Sequence, residues 1–246
     1  YTAFPVRREA LASAVCGLRD AGVAGFNVTI PFKTEIMPLL DALSEDAQRI
    51  RAVNTVVIAS DGKMTGHNTD VTGFLAAHGI ALAGKRVVLI GAGGAARAAL
   101  WGLLRSGVSS VCIGVRNLTK GEALCTDFAA DGTLAAYCFD DSRFRNELCA
   151  ADIVVQTTPI GMSPQTDAVP PVDPAAIHPS AAVYDLIYTP AETAFLRAAA
   201  AHGCTAINGE IMLVMQGAEA FFLWTGVRPN TDLMQRALRE ELARRG

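Results

Sequence analysis

The sequence lacks the patterns that define several classes of protein. Its six cysteines include no CxxC pair, and its four histidines, His67, His78, His178 and His202, are isolated. We therefore expect no metal site, and we predict free, buried thiols, as is usual in a cytoplasmic protein. No block of Lys or Arg stands out in a chain of net charge -3, which argues against nucleic acid as a partner.

Long hydrophobic segments are also absent. The longest apolar run, 211–224, is interrupted by Gln216, Gly217 and Glu219, and it is shorter than the ~20 residues that a membrane span requires. No signal peptide is visible, so we expect a cytoplasmic protein that does not bind membranes. The chain opens at Tyr1 and not at Met, which leaves room for a segment upstream.

The sequence does contain a core-forming composition and a regular alternation of elements. Hydrophobic residues make up 51% of the 246 positions, which suits one or two globular domains. From residue 86 onward, short β-branched runs alternate with helical stretches, and this pattern predicts a parallel sheet covered on both faces. The predicted strands are 86–90, 110–115, 153–157, 182–186 and 204–207, and the predicted helices between them are 95–105, 119–130 and 190–202.

The two ends of the chain follow a different pattern. The predicted elements there are a helix at 8–20, strands at 25–31, 53–59 and 63–67, a turn at Asp61-Gly62, and helices at 72–78, 210–224 and 231–244. We therefore predict an α/β protein of two domains. One consists of residues 1–70 and 212–246, and the other is a doubly wound, Rossmann-type domain of residues 71–211.

A glycine turn lies at the start of the predicted parallel sheet. The segment from Gly91 to Ala96 reads GAGGAA and fits the pattern G-x-G-x-x-[GA], after a predicted strand and before a predicted helix. Gly91 permits a tight turn, and Gly93 lets the backbone approach a pyrophosphate, whose charge is favoured at a helix N-terminus. We predict a dinucleotide site here; the alternative is an ordinary turn between a strand and a helix.

The end of the next predicted strand indicates which dinucleotide is bound. NAD-binding proteins carry an acidic residue there for the ribose 2′-hydroxyl, but this sequence has Arg116, and Lys120 follows. A guanidinium group binds phosphate with two hydrogen bonds. The sequence therefore predicts NADP rather than NAD, unless Arg116 and Lys120 are merely solvated.

Three polar segments, 25–33, 52–55 and 66–73, lie at predicted strand ends in the N-terminal part. Oxidation of a secondary alcohol requires a group that exchanges the hydroxyl proton, and a lysine beside a carboxylate can do this. Lys33 and Asp70 are the best such pair. Taken singly, Lys33 can equally be a surface lysine and Asp70 a helix N-cap.

These segments together resemble shikimate dehydrogenase. The strings NVTIPFK, AVNT, GHNTDVTGF, GAGGAARA and LVMQGAEAFFLWTG follow the order of that family, and the matches extend from about residue 25 to 245. The resemblance implies reversible, NADP-dependent reduction of 3-dehydroshikimate to shikimate, a small cyclohexene carboxylate, in aromatic amino-acid biosynthesis. It also implies a substrate-binding domain and a Rossmann domain on either side of a cleft, with the last helices returning to the substrate-binding domain.

The resemblance further implies roles for individual residues. Lys33 matches the family's acid/base lysine, and Asp70 matches its partner carboxylate. The substrate-binding positions correspond to Asn27, Thr29, Asn54, Tyr188 and Gln216. The cofactor-binding positions correspond to Gly91, Ala92, Gly93, Gly94, Ala95, Arg116, Lys120, Thr157 and Gly209.

Departures from the family pattern leave alternatives open. The 2′-phosphate loop reads Val-Arg-Asn instead of Asn-Arg-Thr, Ile211 replaces a glycine near the nicotinamide, and the serine pair that binds the substrate carboxylate would precede Tyr1. The alternatives are a quinate/shikimate dehydrogenase, a paralogue acting on an aminated analogue, and a non-catalytic NADP-binding regulator. The presence of both Lys33 and Asp70 argues against the regulator. Monomer and homodimer both remain open.

Overall fold

The computed structural model describes residues 1–77 and 79–245, and within them two β-sheets carry the surrounding helices. The predictions for His78, that it ends a helix and is isolated, lie outside the described residues. The strands are β1 Gly25–Asn27, β2 Ala42–Leu43, β3 Thr55–Ile58, β4 Met64–His67, β5 Arg86–Ile90, β6 Ser110–Val115, β7 Leu134–Cys138, β8 Ile153–Gln156, β9 Ala182–Asp185 and β10 Thr205–Ile207. The helices are α1 Leu11–Asp20, α2 Glu45–Ile50, α3 Asp70–Ala77, α4 Gly94–Arg105, α5 Leu118–Asp127, α6 Ser142–Ala150, α7 Ala194–Ala201, α8 Glu210–Thr225 and α9 Thr231–Arg245.

The larger sheet has the strand order β10-β9-β8-β5-β6-β7, and all its pairs are parallel. The chain runs outward from β5 through β6 to β7, and then returns to build β8, β9 and β10 on the other side. Residues 87–90 of β5 are almost fully buried because helices cover both faces. This topology confirms the predicted doubly wound sheet, and it places the order reversal, where such folds bind ligands, between β5 and β8.

The smaller sheet has the order β1-β3-β4-β2, with β1, β3 and β4 antiparallel and β2 parallel to β4. Gly62 has φ 82° in the turn between β3 and β4, which is the left-handed conformation that the Asp61-Gly62 signal predicts. A separate hydrophobic cluster, which includes Val15, Ile36 and Val56, supports this sheet.

The last helices connect the two sheets. Helix α8 packs along α3, which leads from the smaller sheet into the larger one. The Trp224 Nε1 atom near the end of α8 donates a 2.9 Å hydrogen bond to the Val56 carbonyl of β3. The C-terminal helices therefore return to the N-terminal sheet, as predicted. No helix among the described residues has the length and apolar character needed to cross a membrane.

Several predicted boundaries are wrong for identifiable reasons. The strand predicted at 25–31 ends at Asn27, because a turn closed by the Phe32 N–H and the Thr29 carbonyl follows it. The helix predicted at 190–202 begins only at Ala194, because the Thr193 hydroxyl accepts the Leu196 N–H and caps the helix there.

Two of the six thiols also differ from the prediction. Cys112 and Cys204 are buried, but Cys16 and Cys149 are exposed, so the prediction of buried thiols is wrong for these two.

Gly73 allows α3 and α8 to pack closely. A Cβ at this position would lie 2.6 Å from the Met212 carbonyl oxygen. We therefore expect Gly73→Ala to lower the free energy of unfolding in urea by about 1–2 kcal/mol, since overpacking outweighs the gain in helix propensity. Gly17, an exposed residue of α1, has no atom near its would-be Cβ, so Gly17→Ala should raise the same quantity by about 0.5–1 kcal/mol. Equal shifts in both variants would contradict this account.

Candidate active site

Lys33 and Asp70 form an ion pair at the open side of the smaller sheet. The distance from Lys33 Nζ to Asp70 Oδ2 is 2.6 Å, and the two side chains are 26% and 13% exposed. Lys33 follows β1, and Asp70 is the first residue of α3. The pair is thus sheltered but still reachable by a small molecule, as proton exchange with a ligand requires. Neither the surface lysine nor the N-cap alternative describes this arrangement, since both side chains bond across the site.

Backbone hydrogen bonds bring these distant segments together. The Val53 N–H donates to the Lys33 carbonyl at 2.7 Å, and the Val28 N–H donates to the Asn54 carbonyl at 2.8 Å. The Asn54 N–H donates to the His67 carbonyl at 3.0 Å. The loop after β1, the start of β3 and the end of β4 therefore meet at one point.

Asn54 fixes the orientation of the Asp70 carboxylate. Asn54 is only 3% exposed, and its Nδ2 donates to Asp70 Oδ1 at 2.8 Å and to Thr69 Oγ1 at 3.1 Å. Its Oδ1 accepts the Thr69 N–H at 2.8 Å. Each oxygen of Asp70 thus has its own partner, Lys33 on one side and Asn54 on the other, and the carboxylate cannot rotate without breaking a charge-assisted hydrogen bond.

The other predicted substrate-binding residues fall into two groups. Asn27 and Gln216 join the network: Asn27 Nδ2 donates to the Asn54 carbonyl at 3.0 Å, and Gln216 Oε1 lies 3.5 Å from Thr69 Oγ1. Thr29 and Tyr188 carry exposed side chains that stand outside this network of described hydrogen bonds.

Sequence reasoning missed three residues that complete the network. The Thr69 and Thr55 hydroxyls both contact the Asn54 amide, and Asn68 Oδ1 accepts the Asp70 N–H at 3.1 Å. Asn68 and Thr69 belong to a polar segment that the sequence singles out. Their position directly before Asp70 is the signal that could have assigned them a supporting role.

The glycine turn between β5 and α4 has the shape of a phosphate site. Gly91 has φ 108°, and a Cβ there would lie 2.8 Å from Thr157 Oγ1, which itself donates to the Ile90 carbonyl at 2.7 Å. Atoms added at Gly93 and Gly94 would meet open space. No side chain caps α4 at Gly93, so the first N–H groups of the helix are available to an anion. A pyrophosphate therefore fits at this turn.

Two further predicted cofactor residues, Arg116 and Lys120, lie where β6 runs into α5. Both are exposed, and no ion pair engages either of them within residues 1–77 and 79–245. Asn117 Oδ1 accepts the Lys120 N–H and caps α5. Asn117, which departs from the family loop, thus caps a helix. The exposed side chains of Arg116 and Lys120 are available to bind a ligand.

Loops that follow β8, β9 and β10 converge beside the glycine turn. The Ser163 N–H donates to the Thr189 carbonyl at 3.1 Å, and the Gly209 N–H donates to the Ile187 carbonyl at 2.9 Å. A Cβ on Gly209 would lie 2.0 Å from the Leu186 carbonyl oxygen, so the position requires glycine. Apolar side chains are exposed here at Met162 and Tyr188 on the loops and at Ile211 in the first turn of α8.

No group of three or more His, Cys, Asp or Glu side chains with metal-binding geometry occurs in the described part of the chain.

A glycine turn at the switch point of a parallel sheet, joined to a second sheet that carries a lysine–carboxylate pair, defines a two-domain dehydrogenase that binds a dinucleotide. Family models match in chain order: the shikimate dehydrogenase substrate binding domain at residues 1–56, shikimate/quinate 5-dehydrogenase at 75–161, and the shikimate 5′-dehydrogenase C-terminal domain at 211–239.

Known proteins are similar over nearly the whole chain. The shikimate dehydrogenase (NADP(+)) of Moorella thermoacetica is 43% identical, over 98% of this chain and 83% of its own length. A crystal structure of a shikimate dehydrogenase in complex with NADP+ superposes with a TM-score of 0.89 at 38% identity, covering 98% of this chain and 85% of the other. The quinate dehydrogenase of Corynebacterium glutamicum in complex with NAD has a TM-score of 0.87 at 32% identity, covering 96% and 85%. The chain belongs to the shikimate dehydrogenase family.

Asp185 is a buried carboxyl that holds the loop after β9. It is fully buried, its Oδ2 accepts the Thr193 hydroxyl at 2.8 Å, and its Oδ1 accepts the Ile187 N–H at 3.1 Å. Burial raises the pKa of Asp185 from 3.8 to about 6, against the opposing effect of these two hydrogen bonds.

This pKa predicts a pH-dependent stability term. Between about pH 4 and pH 6 the unfolded chain loses the proton that folded Asp185 retains, so the contribution of this group to stability falls as the pH rises. Relative to the wild type, Asp185→Asn should gain about 2–3 kcal/mol in free energy of unfolding from about pH 4 to pH 7. Urea denaturation at each pH measures this difference, and exposed Asp140→Asn serves as the control. A difference that is flat with pH would contradict the prediction.

Proposed function

We propose that this protein is an NADP-dependent shikimate dehydrogenase that interconverts 3-dehydroshikimate and shikimate, with Lys33 and Asp70 managing the hydroxyl proton. The 2.6 Å contact between Lys33 Nζ and Asp70 Oδ2 carries the proposal. Membership of the family and the NADP in the names of its relatives support it. The dehydrogenase class rests on the relatives, and the fold and the glycine turn support a dinucleotide site.

In the reducing direction, the carbonyl oxygen of the substrate gains a proton as its carbon gains a hydride. Bound NADPH would supply the hydride. Lys33 donates the proton to the developing alkoxide from within hydrogen-bonding distance, and it takes the proton back in the reverse reaction. Asp70 holds the ammonium group towards the substrate, and Asn54 holds Asp70.

The remaining predicted residues have roles that follow from their positions. Asn27, Thr29, Asn54, Tyr188 and Gln216 would bind the substrate, with exposed Thr29 and Tyr188 free to turn towards it. Residues 91–95 would hold the pyrophosphate, Arg116 and Lys120 the 2′-phosphate, and Thr157 and Gly209 would shape the walls of the cofactor site. The exposed apolar side chains of Met162, Tyr188 and Ile211 suit contact with a nicotinamide ring.

The domain division follows the same logic. We infer that residues 1–70 and 212–246 form the substrate-binding domain and that residues 71–211 form the NADP-binding domain, with the cleft between them. The proposal includes action in the cytoplasm, on a small soluble substrate, as a monomer or homodimer.

A quinate dehydrogenase is the second candidate. It is favoured by the similarity to the Corynebacterium glutamicum quinate dehydrogenase. Steady-state rates with shikimate and with quinate, each with NADP and with NAD, separate the two, because the more efficient substrate identifies the function. Binding of NADP without turnover of either substrate would instead support a regulator.

Removal of the Lys33 amine tests the chemical proposal. Lys33→Ala should lower kcat for shikimate oxidation by about 10²–10⁴-fold, since general acid–base catalysis contributes on that scale. The thermal midpoint should change little, and Asp70→Asn should act in the same direction. Lys63→Ala, at an exposed lysine before β4, is the matched control and should keep its rate. Near-normal turnover of Lys33→Ala would remove Lys33 from the chemistry.

Arg116 tests the choice of cofactor. Arg116→Ala should lower the ratio of kcat/KM for NADP to that for NAD by about tenfold or more, since a lost charge-assisted contact costs about 1.5–3 kcal/mol. Arg236→Ala, at an exposed arginine of α9, should leave the ratio unchanged. If the ratio does not fall in Arg116→Ala, this residue does not bind the phosphate.

A further inference from the structure

Several carboxylates join the two halves of the molecule: Asp46 binds Trp101 and Arg105, Asp131 binds Arg49, and Asp127 binds two arginines. Asp127, the last residue of α5, binds Arg97 Nη1 with Oδ2 at 2.7 Å and Arg51 Nη1 with Oδ1 at 3.0 Å. Arg97 lies in the first turns of α4, just after the glycine turn, whereas Arg51 directly follows α2 of the smaller sheet's half. We call these three residues the Asp127 bridge.

Two of the three side chains of the bridge are sheltered and are reinforced by neighbouring contacts, whereas the Arg51 side chain is 64% exposed. The side chains of Arg97 and Asp127 are only 18% and 22% exposed, which limits screening by solvent and salt. Arg97 Nε also donates to the Ile50 carbonyl at 2.5 Å, at the C-terminus of α2. Arg49 Nη1 donates to the Asp127 carbonyl at 2.8 Å, and its guanidinium lies 4.5 Å from the centre of the Phe128 ring.

The backbone at Arg51 adds an independent observation. Arg51 has φ 58°, and it is the only non-glycine residue with positive φ in the described part of the chain. This conformation is unfavourable for a residue with a Cβ and persists only where the surroundings impose it. Arg51 ends α2, where helices commonly adopt this conformation, and the ion pair with Asp127 and the hydrogen bond from Arg97 to Ile50 flank it.

The bridge lies between the two parts of the candidate active site. Three residues after Arg51 comes Asn54, which orients Asp70. Four residues before Arg97 comes Gly93, where the phosphate site opens. The Asp127 carboxylate is therefore bonded to two arginines, one near the segment that holds the Lys33–Asp70 pair and one near the glycine turn.

We propose that Asp127 is a positioning residue that aligns the dinucleotide turn with the Lys33–Asp70 pair through Arg97 and Arg51. This inference rests on the proposed function. Because Asp127 is not among the residues assigned to substrate or cofactor, we expect each half-site to bind its own ligand normally when the bridge is broken. The transfer step alone should suffer, since a misplacement of about 1 Å can cost about 10²-fold in rate.

Asp127→Asn in the full chain tests the bridge, because it keeps the shape and removes the charge. We expect kcat for shikimate oxidation to fall by about 10–100-fold, while Kd values for NADP alone and for shikimate alone, measured by calorimetry, stay within about threefold. Asp127→Glu should recover much of the rate, and Asp140→Asn should behave as the wild type. A lower thermal midpoint with unchanged kcat would overturn the proposal.

Arg51→Gly gives a second test that does not depend on Asp127→Asn folding well. Glycine accepts the left-handed backbone without strain, so the thermal midpoint should stay equal or rise while kcat falls by about 3–10-fold. If Arg51 had only a structural role, Arg51→Gly would raise stability and leave kcat unchanged. That outcome would contradict the proposal.

Hydrogen exchange separates this inference from the proposed function. In Asp127→Asn without ligands, the amides of Val53, Asn54 and Arg97, each of which donates to a backbone carbonyl, should exchange faster than in the wild type. If wild-type protein turns over neither shikimate nor quinate, the proposed function fails, but faster exchange still supports the bridge. Unchanged exchange together with unchanged kcat would overturn the bridge whatever the reaction is.

Discussion

The molecule is organised around one requirement, that an ammonium group and a carboxylate from separate segments stay in contact at an opening of the fold. Lys33 and Asp70 stay in contact at 2.6 Å while remaining partly exposed. An ion pair that is fully exposed to water gains much less from its attraction. The backbone bonds from Val53 and Asn54 bring their segments together, and the buried Asn54 amide stops the carboxylate from turning. Thr55 and Thr69 both donate hydrogen bonds to the Asn54 side chain. The smaller sheet thus supports the contact between Lys33 and Asp70 through several residues.

The sequence indicates the larger sheet more fully than the smaller one, for physical reasons. β5, β6, β8 and β9 are buried on both faces and are therefore continuous apolar runs. Strand β7 lies at an edge, is only half-buried and has the sequence LAAYC with no β-branched residue, so no strand was predicted there. Helix α6 was also missed, although Asp141 caps it and Phe144 and Leu148 share one face. In the N-terminal part, the strands are only two to four residues long and show little periodicity.

The candidate site, like the fold, could be predicted from the sequence only in part. The residue types of Lys33 and Asp70, their places at strand ends and the family resemblance together indicate the pair, but no spacing rule brings them into contact. Sequence reasoning assigns Asn54 to the substrate but does not reveal that its amide also binds Asp70 and Thr69. A side chain at a strand end can face a ligand or a neighbour, and only the packing decides which. The glycine turn is the opposite case, because local backbone geometry at Gly91 determines its shape.

The bond from Trp224 to Val56 has a consequence for how the protein is made. The strands of the smaller sheet leave the ribosome before the segment that forms the larger sheet, and the helix that covers β3 follows both. The contiguous segment that forms the larger sheet can therefore fold before α8 is available to pack on the strands of the smaller sheet. A nascent chain stalled before α8 would carry the dinucleotide turn but an uncovered N-terminal sheet, and chaperones would meet that exposed surface.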